Sequence, residues 1–173
     1  MYVDADPVIA ATCLVDRHVV KMAVESAQML CTAHRVLDGR KIVKLNKANR
    51  KYTTYCIDDD REPVLYRSTH ENHPCNIWLR ESTGNYSWLY RHTMALLDEY
   101  THRFDKIRPM GLLLSHVTEP PVHMCRGDMT EIALAMPERY RTVDPVESYR
   151  NYYNGEKSHL FSWTNRSKPD WIV

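Results

Sequence analysis

The chain is short of glycine. Only Gly39, Gly84, Gly111, Gly127 and Gly155 occur in 173 residues, and the closest two stand 16 positions apart. A phosphate-binding loop needs two glycines five apart followed by lysine, and a dinucleotide fingerprint needs three within six residues, so neither can be written here. Apolar runs are short as well: none approaches the roughly 18 residues of a membrane span. Met1-Tyr2-Val3-Asp4-Ala5-Asp6 lacks the basic segment that opens a secretory signal. The five cysteines, Cys13, Cys31, Cys56, Cys75 and Cys125, are odd in number and form no CxxC. They suggest neither a disulfide framework nor a zinc ribbon, and fit a reducing interior. The expectation is a soluble, cytoplasmic protein with no membrane partner. Excess charge is also missing: Lys+Arg 23 against Asp+Glu 22 gives a formal +1. No bulk field gathers phosphates, so any affinity for nucleic acid rests on a local patch, with Arg17, Lys21, Arg35, Arg80, Arg91 and Arg150 as candidates.

What is present reads as globular and helical. Hydrophobic residues at 43% and charged residues at 26% are ordinary for a folded domain. The periodicity predicts an all-α fold, one compact helical domain over 1–173 whose tail, 158–173, packs on it through Trp163 and Trp171. A helix is expected over 16–37, capped by Asp16, with Val15, Val19, Met22, Ala23, Leu30 and Leu37 as its buried stripe. Residues 40–66 read as loop with at most one short helix. A second helix starts at Asn72-His73-Pro74, proline suiting the first turn, and breaks near Ser82-Thr83-Gly84. A third runs to about residue 104, and short helices are expected over 129–135 and 145–153.

Three clusters carry candidate chemistry. On the first long helix His18, Lys21, Glu25, Gln28, Thr32 and Arg35 recur at spacings of 3, 4, 3, 4 and 3, which puts them on one stripe. A carboxylate with a histidine and a lysine beside it is a usable acid–base set; a solvated helix face is the plainer alternative. The second cluster, His70-Glu71-Asn72-His73-Pro74-Cys75, continues through Trp78, Arg80, Glu81, Asn85 and Trp88. It suits a helix cap, a phosphate held at a helix start by His73, or a metal site shared with His123-Met124-Cys125. The third, Tyr149-Arg150-Asn151-Tyr152-Tyr153-Asn154-Gly155-Glu156-Lys157, interleaves aromatics with cations as nucleotide-stacking surfaces do, or simply anchors a helix by packing.

Taken together, Leu14-Val15-Asp16-Arg17-His18 with Glu25, the helix led by His73, and the Tyr149–Gly155 run resemble a widespread set of bacteriophage proteins along nearly the whole chain. More remotely they resemble the phage pyrimidine-dimer DNA glycosylase family. That resemblance implies a compact all-α domain that kinks duplex DNA and acts at a pyrimidine. It places Glu25 at the family's catalytic glutamate, Asp16 and His18 at its Asp-x-His helix start, His73 at its second helix, and Tyr149, Arg150, Tyr152 and Tyr153 in the aromatic-basic run near the C-terminus. The pattern also departs from that family. The family nucleophile is the α-amino group of a small residue exposed after loss of the initiator methionine, whereas Tyr2 here keeps Met1 in place. Val24 and Gln28 stand where the family has arginines.

An activity that needs no amine of the protein's own is thymine hypermodification. In it a hydroxymethyl group on uracil, activated as a pyrophosphate, is displaced by a free amino acid or polyamine. The expected function is therefore processing of a pyrimidine nucleotide extruded from duplex DNA, by amine transfer or glycosylase-type chemistry and without a cofactor. Glu25 and His18 are the catalytic candidates, with Lys21, Arg35, His73, Arg80, Asn85, Tyr149, Arg150 and Tyr153 holding substrate or DNA. The alternatives are a non-catalytic DNA-binding or host-takeover protein, and a small metal-dependent hydrolase using His70, His73 and Cys75. On the enzyme reading, His18 and Glu25 are both partly exposed on one side, close to residues 149–153.

Overall fold

The computed structural model describes residues 1–173. Six α-helices and two short 3-10 turns are joined by one antiparallel β-hairpin. The all-α expectation is thereby corrected, since residues 40–56, read as loop, are mostly strand. Strand β1 (Arg40–Leu45) pairs with β2 (Lys51–Cys56), Arg40 opposite Cys56 and Leu45 opposite Lys51. The strand formers Ile42, Val43, Tyr52, Thr53, Thr54 and Tyr55 account for the pairing. The turn hides itself because no glycine marks it. Asn49 takes the left-handed conformation at φ 58°, and the Asn46 side chain accepts from the backbone N–H groups of Ala48 and Arg50, 2.9 Å each. Asparagine is among the few residues that enter that region readily, so a three-residue turn closes without Asn-Gly or Asp-Gly.

The chain forms two compact units, one of residues 1–25, 88–108 and 131–173, the other of residues 26–87 and 109–130. The first contains α1 (Pro7–Cys13), the opening of α2 (Asp16–Leu37), most of α4 (Thr83–Phe104), and α6 (Pro145–Lys157). The second contains the rest of α2, the hairpin, α3 (Pro74–Leu79), the first residues of α4, and α5 (Gly111–Ser115).

Three helices start in one way. Asp6, His73 and Asp144 each cap a helix by accepting backbone N–H bonds, and each is followed by proline at the first helical position. Asp6-Pro7 was thus as legible as the other two, though α1 and α5 went unread. Residues 129–135, expected as a helix, are irregular; α6 runs to Lys157, beyond the expected 153. The break expected near Ser82-Thr83-Gly84 falls at residues 80–82, between α3 and α4, and Gly84 is the second residue of α4. A side chain there would meet the Met129 nitrogen at 2.4 Å and the Asp128 carbonyl carbon at 2.6 Å, so the glycine admits a passing backbone rather than ending a helix.

In the first unit Val3, Ala10, Leu14, Val15, Val19, Ala23, Leu89, Leu96, Tyr149 and Tyr153 are buried. Of the expected stripe on α2, Met22 and Leu37 are only half-buried. Through this unit runs a charged seam. The fully buried Arg103 donates to the carbonyls of Thr12 (2.9 Å) and Leu14 (2.8 Å), to Asp16 (3.0 Å) and to Glu99 (2.6 Å). Asp16 does not cap α2, whose first turn bonds back to the Val15 carbonyl. Its carboxylate accepts instead from Arg103, Ser162 and Thr164. Arg166 adds a second guanidinium to Glu99, and the Trp163 indole donates to the Cys13 carbonyl at 3.0 Å, so the C-terminal tail is tied to the end of α1 and the start of α2.

Removing one partner of a buried, hydrogen-bonded charge pair costs about 3–5 kcal/mol. Arg103→Met should therefore lower unfolding stability by that order, measured by denaturant titration. Arg103→Lys should rescue little, because an ammonium cannot reproduce the planar fork.

Candidate functional site

The first unit brings together His18, Lys21 and Glu25 from the start of α2 with Tyr149, Arg150 and Tyr153 from α6. His18 and Tyr153 meet directly. The Tyr153 hydroxyl accepts from the Val15 N–H at 2.9 Å and lies 2.8 Å from His18 Nδ1, with the rings edge-on at 5.2 Å. The hydroxyl thus bridges the start of α2 and the His18 ring. The expected partial exposure of His18 is corrected, as the residue is only 7% exposed. Burial first, then the positive charges of the Met1 amino group, Lys157, Lys21 and His159, push its pKa down to about 4.

Glu25 pairs with Lys21 at 3.1 Å, one turn along the helix, with side-chain exposures of 41% and 64%. Its carboxylate is presented at the surface rather than held by His18. Arg150 donates to the Val3 carbonyl at 2.9 Å and to Asp4 at 3.2 Å, and lies over the Trp171 ring. Tyr149 is buried, and its hydroxyl donates to the Ala133 carbonyl at 2.7 Å.

The other four candidates belong to the second unit. Arg35 is buried, and all five of its N–H groups are used: on the Tyr66, Tyr55, Glu62 and Leu65 carbonyls and on the Glu62 carboxylate. Nothing remains for a phosphate or leaving group, so Arg35 pins residues 55–66 instead. Asn85 is fully buried and spent on the Trp78 carbonyl and on Thr130. His73 accepts from the Cys75 N–H as the cap of α3. Arg80 donates to the Glu71 carbonyl at 2.7 Å. For the metal alternative, no three His, Cys, Asp or Glu side chains are gathered as a ligand set. His70 Nδ1 lies 2.6 Å from the Thr69 hydroxyl, and His123 lies 3.1 Å from Asp38.

Residues outside the ten site candidates complete the picture. Lys157, the last residue of the aromatic-basic run, stands on α6 one turn beyond Tyr153. In the second unit His34 is wired on both sides. Its Nδ1 accepts from Arg61 at 2.8 Å, and its Nε2 donates at 2.8 Å to Tyr86, whose hydroxyl is committed to the Val117 carbonyl. Burial, then Arg61, brings its pKa to about 4. Fully buried His92, in the first unit, donates Nδ1–H to the Pro7 carbonyl. Burial, then the Met1 amino group, takes it to about 3.

No family model, curated protein or solved structure matches the chain. No helix is long and apolar enough to cross a membrane.

Two outcomes follow from the neutral histidines. Each has a folded pKa below its unfolded value near 6.5, so the unfolded chain binds more protons between about pH 6.5 and pH 4. Their stabilisation is complete above pH 6.5 and is lost as pH falls through that window, which denaturant midpoints measured at pH 7, 5.5 and 4 should follow downward. Asp38 and Glu99 sit below the ordinary carboxylate range, burial being outweighed by hydrogen bonds from their arginine and backbone partners, and fail only at lower pH. Tyr153→Phe removes the hydroxyl that both Val15 and His18 use. A loss of about 1–3 kcal/mol is expected, read from the denaturant midpoint at pH 7.

Proposed function

We propose that the chain processes a pyrimidine nucleotide drawn out of duplex DNA, with Glu25 as the proton-accepting carboxylate and Lys21 and Lys157 as the cations that hold phosphate. One observation carries the reading. Lys21 stands 3.1 Å from the surface carboxylate of Glu25, and one turn before Lys21 on α2 His18 meets Tyr153 of α6, the helix that ends at Lys157. A surface carboxylate with a lysine beside it suits a substrate that brings negative charge and needs a proton removed. His18, neutral and locked to Tyr153, orients this corner and is not its acid. Arg35 has no part in it.

Of the two chemistries, amine transfer fits better, because it asks for no nucleophile from the protein. An external amine attacks the exocyclic carbon of the activated base while the carbon–oxygen bond to pyrophosphate breaks. The surplus proton on the new carbon–nitrogen bond passes to Glu25, and pyrophosphate departs towards the lysines. The non-catalytic DNA-binding reading draws on one observation of its own: Lys21 and Glu25 satisfy each other in the manner of many i,i+4 surface pairs.

Glu25→Gln keeps shape and reach but accepts no proton. General acid–base assistance is worth roughly 10²–10⁴ in rate. The variant should lose product by that order, read by mass spectrometry of nucleosides from treated DNA, while binding duplex normally. Chemical blocking of the terminal amine should leave amine transfer intact and abolish a Schiff-base glycosylase. An unchanged yield in Glu25→Gln, or no product from either substrate with binding retained, assigns the non-catalytic role.

A further inference from the structure

The near-neutral chain conceals a strong segregation of charge. Residues 40–57, which span the hairpin, hold Arg40, Lys41, Lys44, Lys47, Arg50 and Lys51 and not one acid. Taking those six from 23 cations leaves 17 against 22 acids, so the remainder of the chain carries a net −5. The same segment is the most exposed regular structure in the second unit. Every residue of β1 except Ile42 is exposed, as are all of residues 46–51 at the tip. Val43 and Leu45 are 64% and 57% exposed. Only Thr54 and Ile57 at the base are buried. Arg40 faces Asp58 at 3.7 Å and Lys41 lies over the Tyr55 ring.

We infer that this hairpin is a docking element for duplex DNA, entering a groove as a two-stranded ribbon. The strand register places Arg40 and Lys44 on one face, Lys41 and Lys51 on the other, and Lys47 and Arg50 at the tip. Cations all around a ribbon match a groove walled by phosphate on both sides. A flat anionic surface such as a membrane would call for one basic face only. The dimensions agree: six residues per strand span about 20 Å, and two strands lie about 4.8 Å apart, while the major groove, about 12 Å wide, admits a β-ribbon. Lysines on exposed edge strands also deter aggregation. That role explains Lys41, Lys44 and Lys51, but not Lys47 and Arg50, which are in the turn, nor the complete absence of acids. The inference shares with the proposed function only the choice of polymer, and does not depend on Glu25.

The test uses the full chain with Lys44, Lys47, Arg50 and Lys51 all changed to Gln, compared with a control in which the exposed Arg67, Lys106, Arg126 and Lys168 are changed to Gln. Each phosphate contact contributes about 0.9 to the slope of log affinity against log salt. The hairpin variant should show a slope shallower by about 3.6 and bind duplex roughly 10–1,000-fold more weakly at low salt, with its unfolding midpoint unchanged. Arginine at all four positions should restore binding, and the control should bind as the wild type does. The inference is overturned if affinity and slope are the same in variant and wild type, a result that leaves the Glu25 chemistry standing. It is equally overturned if single strands bind as tightly as duplex with the same slope, or if the wild type binds anionic vesicles and no duplex.

Discussion

The first unit depends on a guanidinium that has no access to water. Arg103 is fully buried and bonds to the carbonyls that end α1, to the first residue of α2 and to Glu99 of its own helix. A buried charge is tolerable only when its donors find acceptors. The chain meets that demand by bringing the end of one helix and the start of the next to a single point. The consequence reaches the candidate site: with Asp16 held there, His18 arrives two residues later against Tyr153. Arg35 does the same work in the second unit, binding four carbonyls and Glu62 around residues 55–66. These two arginines are joints of the fold rather than contacts for a ligand.

A second theme is histidine kept neutral by geometry. His34 meets a tyrosine hydroxyl whose proton is committed to a backbone carbonyl, which sets its tautomer, and His18 shares a hydrogen bond with the Tyr153 hydroxyl. His92 is set by the Pro7 carbonyl. A ring protected from protonation in this way orients its neighbours and donates or accepts one defined hydrogen bond. In the proposed function, proton transfer therefore falls to the carboxylate at the surface, Glu25, with Lys21 beside it.

The distribution of charge makes a third point. A sum near zero describes neither the basic hairpin nor the acidic remainder. What matters for an approaching polyanion is the local field within about 10 Å, the distance over which salt leaves it unscreened. Cations carried on an exposed ribbon act at that range, whereas the buried Arg35 and Arg103 add nothing outside the protein.

The long helices, the proline-led helix starts at Pro74 and Pro145, and the tail anchored by Trp163 could be read from periodicity and capping, because these are local rules that few residues satisfy. The hairpin was missed because an asparagine, not a glycine, supplies its left-handed turn, and because lysines interrupt the alternation of its strands. Sequence also placed His18, Lys21, Glu25 and Arg35 on a single stripe, since a helix repeats every 3.6 residues whatever surrounds it. It could not say which members of the stripe reach water. Partners far along the chain decided that. Tyr153 buried His18, and the carbonyls of residues 55–66 consumed Arg35, while Lys21 and Glu25 met only each other and stayed at the surface. Spacing along a chain determines the direction in which a side chain points; the atoms waiting there belong to the tertiary structure, because burial and hydrogen bonding are properties of neighbours brought together from distant positions.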